Sequence, residues 1–256
     1  MSEKSQIEKA IAVLESIGTG DPEAFGFLDA SRYRQHNQSL ADGVAGIGAT
    51  LASQPVGTFT ARVVRAFEDG DRVVTHTEYE FYGPKAGFDI FRFSEGLIVE
   101  HWDNLQALAK PNGSGHTMLA GAATVVDIDL TSRNKELVER FFRENILGDA
   151  GEFARYIHPE MIQHNPGGSD GLTGLGQMMS AFQGGDHVMR YDRIHQLLGQ
   201  GNFVLLVSEG LFGPNGGEPT AFYDLFRVSE DMLVEHWDVL EPILPSDSVA
   251  NSNGKF

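Results

Sequence analysis

Two stretches of this chain occur twice, in the same order. SRYRQHNQSLADGVAG (31–46) is answered by PEMIQHNPGGSDGLTG (159–174), and FDIFRFSEGLIVEHWDNLQ (88–106) by YDLFRVSEDMLVEHWDVLE (223–241). Gln-His-Asn, Asp-Gly and Val-Glu-His-Trp-Asp agree in type and order, which marks a tandem duplication, and a repeat of this kind constrains the fold more than any composition does. Each copy must be a domain that closes on its own core. The spacing divides the chain into a domain at 1–110, a linker at 111–133, a second domain at 134–244 and a flexible tail at 245–256. The linker opens on Lys-Pro-Asn-Gly-Ser-Gly, and within it Thr124–Leu130 reads as a short strand.

Both copies place helices first and strands later. Ile7, Ala10, Ile11, Leu14 and Ile17 follow helical spacing. Gly18-Thr-Gly20 stops that helix, and Asp21-Pro22 starts a second as cap and first-turn proline. The Asp42-Gly43 pair reads as the cap of a third helix that runs to about Ser53, with Asp170-Gly171 in the same role. Four β-like runs follow at 58–68, 72–82, 87–93 and 97–105, separated by turn signals. The second copy repeats the scheme, with helices near 134–147, 149–157 and 170–182. Helices followed by a strand meander give an α+β class, helices on one face of an antiparallel sheet.

Composition narrows the functions. The 256 residues carry a formal net charge of -17 and no basic stripe. Nucleic acid and anionic membrane surfaces are therefore not expected partners. There is no cysteine, which excludes disulfides and thiolate chemistry and agrees with a cytoplasmic location. No HxH or HExxH spacing supports a metal site, and no Gly-rich strand–loop–helix context supports a nucleotide. No cofactor is expected.

The element order, with His-Asn…Asp-Gly…Gly and then Asp-x-Phe-Arg…Val-Glu-His-Trp-Asp, resembles the SnoaL-like polyketide cyclase family of the nuclear-transport-factor-2-like superfamily. The resemblance covers both halves. It implies two tandem cone domains, each with about three helices packed in a curved antiparallel sheet around a mostly apolar pocket. It also implies a small apolar molecule as partner, and dimerisation through the sheet face: a pseudo-dimer of the two halves, with room for a homodimer.

Strand alternation sorts the last motif into two faces: Leu97, Val99, His101, Asp103 and Leu105 on one, Ile98, Glu100, Trp102 and Asn104 on the other. Asp89, Phe91 and Phe93 share a face of the preceding strand. By its similarity to the ketosteroid isomerase strand motif, Asp89 points into the pocket, which turns His101 and Asp103 inward and Trp102 outward. His36 stands where that relative has its general base, and His76 where the cyclases have a pocket histidine. The expected catalytic set is therefore His36, His76, Asp89, His101 and Asp103. The expected ligand-binding set is Asn37 and Phe91, with His164, Asn165, Asp224, His236 and Asp238 in the second copy and His195 as a further candidate there. Each has a bland alternative: a cap or loop hydrogen bond for His36 and His164, a turn for Asn37 and Asn165, a satisfied buried pair for His101 with Asp103.

The absence of a histidine in Leu206–Ser208 makes the two pockets unequal and favours the N-terminal one. The functional expectation is cofactor-free acid/base chemistry on an apolar carbonyl compound: aldol-type cyclisation, isomerisation or dehydration by a polyketide-cyclase-like lyase or isomerase. The alternative is a non-catalytic binding protein for a small apolar ligand.

Overall fold

The computed structural model describes residues 4–182 and 186–256. Two compact units result. Residues 108–242 form one, and residues 1–107 together with 243–256 form the other.

In the first unit, helix α1 (Gln6–Thr19) is opened by a capping box. Ser5 Oγ accepts from the Glu8 N–H, and the Glu8 carboxylate accepts from the Ser5 N–H. Gly20 closes it in the left-handed region, at φ 68°. Asp21 caps α2 (Pro22–Phe25) as expected. The sheet follows from β1 (Arg34–Gln35), β2 (Thr60–Asp69), β3 (Arg72–Glu80), β4 (Pro84–Ser94) and β5 (Leu97–Ala107), with α3 (Gly43–Ala52) between β1 and β2. Its spatial order is β1-β5-β4-β3-β2, and only β1 pairs parallel. Ala10, Val13 and Leu14 of α1 meet Val73, Phe91, Phe93 and Ile98 of the sheet in one core. Each fully buried Phe there contributes about 2 kcal/mol.

The second unit repeats this plan. Helix α4 (Thr131–Phe141) runs on into a π-helical turn at Phe142–Ile146, and α5 spans Gly171–Phe182. Strands β6 (Ile157–Gln163), β7 (His187–Gln200), β8 (Phe203–Pro214), β9 (Glu218–Ser229) and β10 (Met232–Pro242) take the order β6-β10-β9-β8-β7. The helix expected at 149–157 is only a 3-10 turn at Phe153–Arg155.

Four expectations change. The β4–β5 register shifts between Arg92 and Phe93, so Ile98 rather than Val99 faces Phe93 and joins the core. A bulge flips alternation locally, and β10 does the same, putting Leu233 in its core. Asp42 stands at the N-cap of α3 but makes no side-chain cap bond there, and the side chains of Asp42 and Asp170 reach back instead. Each accepts the backbone N–H of the glutamine seven residues earlier, Gln35 and Gln163, at 2.9 Å. The expected strand at Thr124–Leu130 is an irregular stretch tied to Asn202 at Val126, ending in a 3-10 turn.

The fourth change concerns the chain end. Residues 245–256, expected as a flexible tail, are held on the first sheet. Asn251 Nδ2 donates to the carbonyls of Asn37 (2.7 Å) and Leu40 (2.9 Å), and Asn253 Nδ2 to that of Gln35. Lys255 Nζ donates to the Asp103 carbonyl at 2.9 Å. A two-residue strand cannot fix itself, and these donors satisfy carbonyls of β1, of the turn after it and of β5. In the second unit Asn112 plays the corresponding part, donating to the carbonyls of Gln163 and Asn165. Asn251→Ala removes two such bonds and is expected to destabilise the first unit by about 1–3 kcal/mol. Denaturant melts read the loss, and amide exchange should accelerate at residues 35–40 while 163–168 stay unchanged.

Candidate functional site

The pocket face of each sheet centres on one histidine. His101 lies opposite Phe91 on β4 and beside Gln35 on β1. Its ring stacks on Phe91 at 4.5 Å between centroids, and that of His236 stacks on Phe226 at 4.6 Å. Both nitrogens of each ring face an oxygen. His101 Nε2 is 3.1 Å from Asp89 Oδ1, and Nδ1 is 3.2 Å from Gln35 Oε1. His236 Nε2 is 3.1 Å from Asp224 Oδ1, and Nδ1 is 3.0 Å from Gln163 Oε1. The amide orientation is set independently, because the backbone N–H of Asn37 or Asn165 donates to the same Oε1 at 2.9 Å. At His236, two acceptors across one ring call for two N–H donors, the imidazolium form. For His236, burial pulls the pKa down, but the Asp224 hydrogen bond and the charges of Asp238 and Asp224 overcome this and raise it.

The second carboxylate of each site follows from the strand period. Asp103 and Asp238 sit directly opposite Asp89 and Asp224 across the last strand pair. Asn37 Nδ2 donates to Asp103 Oδ2 at 2.7 Å, and Asn165 Nδ2 to Asp238 Oδ2. Among the described residues, the other oxygens, Asp103 Oδ1 and Asp238 Oδ1, are buried without a hydrogen-bond partner. Burial raises the Asp238 pKa from 3.8 to about 6, helped by the Asp224 charge and opposed by His236 and Asn165. The Asp–His–Asp trio of each copy brings its ligand atoms within 4.8 Å of one another, a spacing that would also suit a metal ion. The pairing of both ring nitrogens fits a proton on His236 better, since a ligating nitrogen must be bare.

The two sites then diverge. Asp89 is saturated: Thr75 and Thr77 hydroxyls donate to Oδ2 at 2.9 Å each, and Tyr79 joins His101 on Oδ1 at 2.6 Å. Burial and the Asp89 charge push the Tyr79 pKa far up, so its hydroxyl stays a donor. In the second unit Leu206 faces Asp224 where Thr75 faces Asp89. Gly210 takes the place of Tyr79, and Tyr191 reaches over from the neighbouring strand to donate to Asp224 Oδ1 at 3.3 Å. Asp224 Oδ2 has no hydrogen-bond partner among the described residues.

The cavities differ accordingly. The first is about 70 Å³, lined by Tyr33, Tyr79, Phe91, His101 and Asp103 among others, room for about two waters. The second is about 310 Å³ and takes in Asp224, His236, Asp238, Gln163 and the methionines 161, 178, 179 and 189. That is within the range of small-molecule pockets, ~300–1,000 Å³. The larger cavity thus lies in the second unit, whereas the sequence favours the N-terminal pocket.

Several expected site residues lie elsewhere. His76 is on the opposite face of β3, stacked on Phe88 at 4.2 Å and in contact with Arg65. His36 stacks on Trp102 and its Nε2 meets Glu100 at 2.9 Å; His164 does the same with Trp237 and Glu235. Alternation along β1 explains it: Gln35 and Asn37 point to the pocket, so His36 points away. At Glu235 burial opposes the charge, but bonds from His164 and Arg227 win and hold its pKa low. His195 stands off the pocket lining, 3.3 Å from Glu209. Asp89 is fully buried but does not line the first cavity, whereas Asn37, Phe91, His101 and Asp103 do. The residues that sequence reasoning missed are Gln35 and Gln163, Tyr33, Tyr79 and Tyr191. The repeated Gln-His-Asn held the signal, since its outer two members share the face that its histidine does not.

Residues 10–101 match the SnoaL-like domain family. The first domain is thus similar to SnoaL-like domains over this stretch. The second unit repeats the strand order, the motifs and the buried Asp–His–Asp–Gln cluster of the first, so the chain holds two tandem copies of one α+β unit. Similar solved structures include TsrD from Streptomyces laurentii, 20% identical over 41% of this chain and 92% of that one, TM-score 0.34. IdmH from Streptomyces antibioticus, a candidate polyketide cyclase, is 19% identical over 43% and 92%, TM-score 0.32. A candidate ketosteroid isomerase from Kribbella flavida is 15% identical over 47% and 94%, TM-score 0.34. No curated protein matches the chain. No described helix is long and apolar enough to cross a membrane.

The raised Asp238 pKa has a thermodynamic consequence. Between about pH 4 and 6 the folded chain holds this proton more tightly than the unfolded chain, so stability falls as pH rises through that window. The loss is complete above it and amounts to at most ~3 kcal/mol. Asp238→Asn should therefore be more stable than the parent at pH 8, with no such gain at pH 4. Urea melts at the two pH values check this, and an equal difference at both would contradict it.

Proposed function

We propose that the SnoaL-like domain formed by residues 131–242 binds a small apolar carbonyl compound and moves a proton at the carbon beside the carbonyl, with Asp238 as the base. The observation that carries this reading is one carboxylate oxygen, Asp238 Oδ1, buried and unpartnered in a cavity of about 310 Å³ among Phe, Met and Leu side chains. A base works best with a pKa near the operating pH, and Asp238 is placed at about 6 by burial. The carboxylate takes the α-proton and becomes the neutral acid, and the electron pair moves onto the carbonyl oxygen as an enolate. Positive charge on His236, behind the carboxylates, offsets that developing charge. The enolate carbon then attacks a second carbonyl, as in an aldol closure, or is reprotonated by Asp238 at another position, as in an isomerisation. A carbonyl acidifies its own α-proton, so the chemistry calls for no cofactor.

Among the described residues the first domain offers no comparable site. Its cavity of about 70 Å³ does not admit such a compound, and Asp89 has all four of its hydrogen bonds within the protein.

The test is α-deuterium wash-in, followed by NMR, on a panel of enolisable cyclic ketones that includes 1-indanone and 2-tetralone. At least one member should exchange faster with the protein than without it, with a rate rising through an apparent pKa of about 6. Asp238→Asn should slow it by ~100-fold or more. Protein-independent exchange across the whole panel, or exchange undiminished in the variant, would overturn the proposal.

A further inference from the structure

A base needs a partner that holds the carbonyl oxygen, and the two copies differ at the group best placed to do so. In the first domain the Gln35 amide is used completely. Its Oε1 accepts from the Asn37 N–H and faces His101 Nδ1, and its Nε2 donates to Tyr33 OH at 3.2 Å. In the second domain Oε1 of Gln163 is engaged identically, by the Asn165 N–H and His236 Nδ1. Met161 stands where the first copy has Tyr33, and a thioether is at best a weak acceptor. Among the described residues Gln163 Nε2 therefore has no hydrogen-bond partner, although the residue is 2% exposed and lines the large cavity with Asp238.

The amide cannot turn over to hide this donor. Flipping it would set its NH₂ against the Asn165 N–H and the His236 N–H, two donors against a donor. The donor therefore stays turned toward the cavity, in the copy whose cavity has room for a guest. The cavity thus presents a fixed donor and the unpartnered carboxylate oxygens of Asp238 and Asp224 on a wall that is largely apolar but also carries Asn145, Arg190 and Tyr191. The complement is a neutral compound with a carbonyl oxygen and an adjacent C–H.

We propose that the Gln163 side-chain amide is the donor that receives the carbonyl oxygen of the ligand in the second-domain pocket. This rests on the reading of that pocket as a carbonyl site. It assigns Gln163 direct contact with the ligand, and it makes Met161 the residue that keeps the donor available.

The copies themselves supply the test. Met161→Tyr reinstates the first domain's tyrosine and occupies Gln163 Nε2, whereas Met161→Phe adds the same ring without the hydroxyl. Gln163→Glu keeps an acceptor for Asn165 and His236 but removes the donor. The probe is 2-tetralone labelled with carbon-13 at the carbonyl. Its affinity is read by NMR titration and its C=O stretch by difference infrared spectroscopy. Wild type and Met161→Phe should both shift the bound C=O stretch to lower frequency. Met161→Tyr and Gln163→Glu should lose that shift and bind at least about tenfold more weakly than Met161→Phe. Equal affinities and equal band positions for the Tyr and Phe variants would overturn the proposal, as would an unshifted band or no binding in wild type. The failure of the base assignment looks different: Asp238→Asn would then bind the probe with the shifted band and still exchange its α-protons at the parent rate.

Discussion

A histidine ring with an oxygen against each nitrogen organises both halves of this protein. The ring of His101 or His236 joins the last strand to an aspartate on its neighbour and to a glutamine on the short parallel strand. That glutamine's oxygen in turn anchors the backbone of the following asparagine, whose side chain reaches the second aspartate. Each link uses a group that could not be buried alone. The Gln-x-Asn and His-x-Asp spacings are the alternation that such a chain of bonds demands, and they recur in both copies.

What the duplication then varied is the outer ring of that cluster. A tyrosine on the central strand in one copy becomes a glycine in the other, while a tyrosine appears on the adjoining strand. Both tyrosines reach the equivalent aspartate, Tyr79 from the strand beside it and Tyr191 from one strand further out. At Gly210 a side chain would collide with the Arg190 carbonyl, 1.8 Å from where its Cβ would lie, so the exchange is locked once made. Together with Leu206 for Thr75 and Met161 for Tyr33, it strips hydrogen-bond partners from the second cluster and enlarges its cavity. The second unit leaves Asp224 Oδ2 and Gln163 Nε2 without partners among the described residues, and the first unit uses the equivalent Asp89 Oδ2 and Gln35 Nε2.

Much of this was legible in the sequence. The duplication, the α+β order and the inward turn of His101 and Asp103 follow from repeated residues and a period of two. Other features were not. Strand β1 has two residues and pairs parallel to β5, too short to show its own alternation, so Gln-His-Asn was read by its histidine rather than its flanks. His76 lies on a strand whose register was uncertain by one residue, and one residue is enough to change its face. The bulge before Glu100 and the bonds made by Asn251 and Lys255 depend on partners far away in the chain. The unequal cavities required knowing that Tyr79 pairs with Ala61 and Gly210 with Tyr191, which no single stretch of sequence reveals.

The claim that the second pocket alone takes up ligand is tested most directly by its methionines. Met161, Met178, Met179 and Met189 line that cavity, and among the described residues no methionine lines the first. Carbon-13 methyl-methionine spectra, titrated with a small cyclic ketone, should show saturable shifts at these four methyls while Met118 and Met232 stay in place. Unmoved methyls at all four positions, with leucine and valine methyls of the first cavity shifting instead, would contradict the account.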